Sequence, residues 1–299
     1  MTLKQLEAFY WAATAISFQM AADHLHISLS ALSKRIGELE THFGQALFDR
    51  SGHRALLTDA GQRLLPLAAQ ILKMGHEIDN LLADDAGMIG HCRFGVGELA
   101  ALTWLPDFIA HINHKHPNLT LEPCVDLGSS LERRLLSGQL DFAVVAGHSS
   151  HSDISSHLIA DVGFAWAAAP SLVDHQTVLN DALLQTHPLI TMPHGAGPTR
   201  MLEHWLTTHG LESRNRLTCN NLSAVASLII AGRGIGLFPL SWLEQLSPRA
   251  VAIPVRTRPR QLSMPYTFQH RRHDPRPLLA SLHRSILDTA DFTKRCPLW

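Results

Sequence analysis

Residues 18–40, FQMAADHLHISLSALSKRIGELE, hold two short helical patterns that meet at a tight turn. Ala21, Ala22 and Leu25 place small and apolar surface on one face of the first pattern, and Ile27 fills the turn. Ser28 stands where an N-cap side chain accepts a free backbone N–H of the second helix. In that helix Leu32, Ile36 and Leu39 recur at i, i+4 and i+7 and share one buried face. Ser30, Ser33, Lys34 and Arg35 fall largely on the opposite face, with Ser28 and Leu29 at its start. Alanines at the crossing let the two backbones approach closely, which leaves the polar face free to protrude. Short hydroxyls and two cations on such a helix suit a DNA major groove. Taken alone, the same residues also describe an ordinary helical hairpin with a solvated face.

The following residues favour the first reading. Phe48-Asp49-Arg50, Ser51-Gly52-His53-Arg54 and Ala55-Leu56-Leu57-Thr58 predict two short strands about a Gly-centred turn, a wing beside the helix pair. Arg50, His53 and Arg54 lie where they can reach backbone phosphates. The array LKQLEAFYWAA, SFQMAADHLHIS, ALSKRIGELE and FGQALFDRSGHRALLTDAGQRLL resembles the LysR-type transcriptional regulators, and the resemblance extends through the chain. It implies a sequence-specific regulator that binds double-stranded promoter DNA as a homodimer or homotetramer and answers to a small-molecule effector. RNA polymerase is a further candidate partner. The family commonly has Ser-Gln-Pro where this chain has Ser28-Leu29-Ser30. Leu29 offers only apolar contact, for example to a thymine methyl, so the base preference at that position differs.

Composition sets limits on this reading. With 299 residues, 45% hydrophobic and 17% charged, the chain is globular and long enough for two or three compact units. A formal net charge of −1 supplies no global attraction to nucleic acid, so binding must come from a local basic surface. Cys92, Cys124, Cys219 and Cys296 are far apart and form no CxxC pair, which predicts reduced thiols. Some family members sense oxidants through a cysteine pair in the distal subdomain; here only Cys219 lies in that stretch. The amphipathic N-terminus shows no signal peptide and no spanning helix is visible, so a cytoplasmic protein outside the membrane is expected.

The spacing predicts a mainly α winged helix-turn-helix over 1–58, a linker helix and hinge over 59–88, and an α/β effector-binding domain over 89–299. From Asp59 to about Ala86, Leu64, Ala68, Ile71, Gly75, Ile78 and Leu82 repeat with a mean spacing of 3.5, a dimer seam; Leu64, Ala68, Ile71, Ile78 and Leu82 are its candidate contacts. Beyond Asp84 the pattern alternates strand and helix. Strands are expected at 92–96, 119–125, 140–146, 189–192 and 216–220, and helices at about 103–116, 129–137, 199–208, 222–232 and 277–292. Two such α/β lobes, about 91–160 plus 267–299 and about 161–266, make a periplasmic-binding-protein-like clamp with a ligand cleft between them.

Loops after the strands are the candidate effector contacts: Gly97, Glu98, Leu99 and Ala100; Ser129 and Ser130 at a helix N-terminus; Gly147 and His148; Met192, Pro193 and His194. Many family members place a hydroxyl in the first loop to hold an anionic effector, and here Glu98 and Leu99 occupy it. The aromatic residues Trp104, Phe164 and Trp166 read first as core. Gly232, Gly234 and Gly236 follow a helix and precede a strand, the reverse of a nucleotide-binding loop, and read as a structural turn. Of the twenty histidines, small groups cluster at 111–116, 148–151 and 270–273 without Cys or carboxylate at ligand spacing, so no metal or cofactor is expected. No GxSxG, Walker or HExxH motif is present, and no catalytic residue is assigned. The alternative is a small-molecule-binding module or enzyme in which the helix-turn-helix has no regulatory role. A transporter's solute-binding protein fits the C-terminal two-thirds but not the absent export signal or the N-terminal hairpin.

Overall fold

The computed structural model describes all residues except 16, 51–54, 83–87, 89, 174–176, 214, 247–248, 254–261, 273, 275 and 297–299, and within the linker helix the side chains of 76, 77 and 79–82. The N-terminal head comprises α1 (Leu3–Thr14), α2 (Phe18–His24), α3 (Leu29–Phe43), β1 (Phe48–Asp49) and β2 (Leu56–Leu57), followed by α4 (Asp59–Leu82). Thr2 and Gln5 start α1 with a reciprocal capping box. Ser17 and Ser28 cap α2 and α3 through their hydroxyls, and Gly44 ends α3 in the left-handed conformation, where a Cβ would be strained. The apolar face of α3 is wholly inside: Leu32, Ile36 and Leu39 pack with Leu6, Phe9, Ala21 and Ala22. β1 and β2 pair antiparallel as the wing.

Thr58 caps α4 by accepting from the Gly61 N–H, as its position suggests. The first turns of α4 close the head, and this corrects two expected seam residues. Ala68 is 0% exposed and Leu64 packs against the head core, because this part of the helix lies on α1. The outward stripe is instead Leu67, Ile71, Met74 and Ile78, of which Leu67, Met74 and Ile78 are 55–61% exposed. Its 4-3-4 spacing keeps the heptad period. The Leu82 side chain lies outside the described residues.

The second part follows in the order β3 (Gly90–Val96), α5 (Glu98–Leu102), α6 (Leu105–Lys115), β4 (Leu119–Val125), α7 (Gly128–Leu136), β5 (Phe142–Ala146), β6 (Ile154–Ala168), α8 (Asp181–Thr186), β7 (Leu189–Thr191), α9 (Gly197–Thr208), β8 (Arg216–Thr218), α10 (Leu222–Ile230), β9 (Ile235–Pro239), α11 (Leu240–Leu246), β10 (Val251–Ala252), β11 (Leu262–Arg271) and α12 (Pro277–Thr289). The expected helix at 103–116 is α6, and a short helix α5 precedes it, ending at Thr103, whose hydroxyl donates to the Leu99 carbonyl; Glu98, Leu99 and Ala100 therefore sit in α5 and not in a loop.

In the first lobe β3 pairs in parallel with β4 and β5; in the second, β7 pairs in parallel with β8 and β9. The long strands β6 and β11 run antiparallel to one another and join the lobes, with β11 beside β5 and β6 beside β9. Phe94, Phe142 and Phe268 stack through the first lobe, with ring centroids 4.9 and 4.8 Å apart. Trp166 and Trp205 meet at 5.2 Å in the second. α12 returns to pack on α6. The Gly232–Gly236 segment is a turn: Gly232 has φ +67° just past the end of α10, and a Cβ on Gly234 would overlap the Pro188 carbonyl.

Candidate functional sites: a recognition helix and an interlobe cleft

The first site follows from how α3 is capped. The Ser28 hydroxyl accepts the Ala31 N–H at 3.2 Å and lies 2.9 Å from the Ser30 hydroxyl, so both groups are ordered at the start of the helix. Ser28, Leu29 and Ser30 are exposed, as is Lys34, whereas Ser33 and Arg35 are half-buried at the flanks. Leu29, a large apolar residue, is 41% exposed at the first helical position.

The wing is tied to this helix by a residue that pattern reading passed over. Glu40 Oε1 accepts the Leu47 and Phe48 N–H groups at 2.8 and 3.2 Å, while its Oε2 pairs with Arg50 at 3.4 Å. The Arg50 guanidinium also lies 5.8 Å from the Phe18 ring. Arg50 is thus held beside α3 with nearly half of its side chain still exposed. His53 and Arg54 lie outside the described residues.

The second site is a cleft of about 300 Å³ between the lobes. It lies where the parallel strands end and where α5, α7, α9 and α10 begin, the expected place for a ligand in such a sheet. Gly97, Glu98, Leu99 and Met192 line it as expected. The remaining candidates do not. Ala100 is fully buried in the core because it faces inward from α5. Ser130 donates to Asp126, and the Gly147 carbonyl accepts from Thr267 and Gln269. Ser129 lies at the edge where the lobes meet, so close to Gly195 that a Cβ there would overlap its Oγ. His148, Pro193 and His194 are likewise outside the lining.

One side chain spans the cleft. The Glu98 carboxylate accepts the N–H groups of Leu222 and Ser223, the latter at 3.2 Å, and the Ser223 hydroxyl at 2.8 Å. A residue of the first lobe therefore caps α10 of the second, where the helix dipole favours negative charge. The position in which many family members carry a hydroxyl for an anionic ligand here supplies an anion of its own. Asp126 and Asn221 also line the cleft, each just past an expected strand, whereas Asn220 falls inside the expected strand 216–220, which in fact ends at Thr218. Phe164 and Tyr266 also line the cleft from the crossing strands β6 and β11, and nothing in their local pattern distinguishes them from core. Trp104 and Trp166 are core. Among the described residues, no three His, Cys, Asp or Glu side chains converge as a metal site, and no helix is long and apolar enough to cross a membrane.

Comparison with known proteins identifies the two regions that carry these sites. Residues 3–62 match the bacterial regulatory helix-turn-helix protein model of the lysR family, and residues 85–291 match the LysR substrate binding domain. The chain is 26% identical over 241 residues to the transcriptional regulator GltR of Bacillus subtilis, covering 81% of this chain and 80% of that protein. Among solved structures, a full-length OxyR variant from Pseudomonas aeruginosa has a TM-score of 0.63 at 18% identity, covering 99% of this chain and 97% of that one. Full-length CbnR complexed with its target DNA has a TM-score of 0.54 at 22% identity, covering 97% of this chain and all of that one. Both of those structures share the fold. The two family matches take in the head and the cleft, with most of the linker helix lying between the matches, and the chain belongs to the LysR-type regulators, DNA-binding transcriptional regulators with an effector-binding domain.

Proposed function

We propose that α3 enters the major groove with Ser28, Leu29, Ser30, Ser33, Lys34 and Arg35 toward the bases, while Arg50, His53 and Arg54 meet phosphates. The observation that carries this reading is the division of α3: its stripe Leu32, Ile36 and Leu39 is wholly inside and its first turn is exposed. Leu29 supplies an apolar contact suited to a thymine methyl. Two copies pair along Leu67, Ile71, Met74 and Ile78 and present two recognition helices to a two-fold site. The head spans residues 1–58, the linker 59–88 and the effector domain 89–299. A small molecule in the cleft biases the arrangement of subunits, which requires different affinities for the two arrangements. The protein acts in the cytoplasm without catalytic activity or cofactor.

Selection from random duplex DNA with the full-length protein, with and without a metabolite mixture, tests this reading. An interrupted palindrome is expected. Arg35→Ala is expected to weaken binding to the selected site ten- to a hundredfold, about 1–3 kcal/mol, with an unchanged thermal melt. Folded protein that enriches no sequence in either condition overturns the assignment, and unaltered affinity removes Arg35 from it.

A further inference from the structure

The head touches the first lobe through a surface with no part in DNA reading or in the cleft. Trp11, on α1, is only 4% exposed. The His24 ring of α2 lies against it at 3.7 Å between centroids. Two guanidinium groups of the first lobe approach the same indole, Arg271 at 4.9 Å and Arg276 at 5.2 Å. Arg93 of β3 comes within 3.5 Å of His24 Nδ1, and the rings of His26 and His91 stand 5.6 Å apart.

The arginines are held by groups of their own lobe. Arg276 bonds Asp141 at 2.8 Å and Asp274 at 2.7 and 2.9 Å. Arg271 bonds Asp274 at 3.1 Å and the carbonyls of Leu135 and Leu140 at 2.9 and 2.8 Å. Asp141 also accepts the Arg93 N–H at 2.7 Å. Paired edge-on in this way, the planar groups keep a face available for an aromatic ring, the contact for which arginine is better suited than lysine. Stripped of the head, this buried charge cluster would be left partly open.

We infer that the first lobe is a docking platform for the DNA-binding head of its own chain, with Trp11 seated against Arg271 and Arg276. The docked face belongs to α1 and α2, so the exposed turn of α3 remains free for DNA. The platform also leads to the cleft. Arg93 and Asp141 stand at the head's side of the parallel strands β3 and β5, whose other ends carry Gly97, Glu98 and Ala146 of the cleft. Four residues of strand, about 13 Å, separate Arg93 from Gly97. The orientation of the recognition helix is thereby referred to the wall of the effector site.

Crosslinking tests this in the full-length chain. His26→Cys and His91→Cys introduce thiols at exposed positions of the contact, with Cys124→Ser and Cys219→Ser removing the half-buried native thiols. A short bis-maleimide is expected to bridge the pair within one chain at least about tenfold faster in native buffer than in urea. The bridged protein is expected to keep its affinity for the selected operator within about threefold. Bridging between two chains places the head on the partner's lobe and overturns the assignment in cis. A native rate no higher than that in urea overturns the docking itself, and loss of operator binding on bridging overturns its compatibility with DNA.

Discussion

The recognition face draws its residues from two turns of one helix, whereas the cleft is closed by Glu98 on Leu222 and Ser223, more than a hundred residues further along the chain. The first is a surface whose geometry is set locally, by a cap and a buried stripe. The second exists only when two lobes and two crossing strands are in place. Single substitutions on α3 therefore alter contacts one at a time, while one at Glu98 alters the relation between two bodies.

Four changes would break or sharpen this contrast. The largest effect is expected for Leu32→Ala, which empties a fully buried site under α3. A loss of about 2–5 kcal/mol is expected in the head, with a separate low-temperature transition and no operator binding. A melt unaltered by this change would mean that α3 does not depend on the head core. Glu98→Ala removes a charged acceptor from three donors of α10, and about 2 kcal/mol should be lost from the effector domain alone. Coincident destabilisation of the head would show that the two regions are less separate than the contrast holds.

The third change is acid. Burial first, then the Arg276 guanidinium and more weakly Arg271 and Arg93, push the His24 imidazole down to about 3 against an upward pull from Asp141. A folded-state value below the ordinary 6.5 means that the unfolded or undocked chain takes up the proton first. The contact is thus at full strength above pH 6.5 and weakens as pH falls toward 3. At pH 5 the loss is about 2 kcal/mol at most. Urea titrations at pH 7.5 and 5 measure it, and His24→Phe should narrow the difference by that amount, leaving the part due to His116, His270 and His283, which burial also lowers. The smallest effect is expected for Ser28→Ala, which removes the α3 cap at a cost of about 1 kcal/mol. A larger loss would give the Ser28–Ser30 pair a structural role beyond capping.

The same contrast accounts for what could be read from residues alone. Ser28, Leu32, Ile36 and Leu39 announce α3 because capping and helical period are short-range rules. The strands β3, β4, β5 and β7 were likewise legible as apolar runs bounded by turns. Three things were not. Leu64 and Ala68 share the heptad period with the exposed stripe, and periodicity cannot say which face of α4 the head covers. Glu98 reads as a loop residue until Leu222 is seen opposite it. Phe164 and Tyr266 are themselves buried and apolar, so a cleft residue and a core residue have the same pattern there.

The crossing of β6 with β11 also orders events during synthesis. These strands pair residues 154–164 with 262–271, so the effector domain cannot close until nearly the whole chain has emerged. The head is complete once α4 leaves the ribosome, and its contacts are short-range, which favours fast folding. At 5–20 residues per second, about ten to forty seconds separate the two. During that interval each nascent chain carries a finished DNA-binding head without its regulatory half, and Trp11 has no platform to meet.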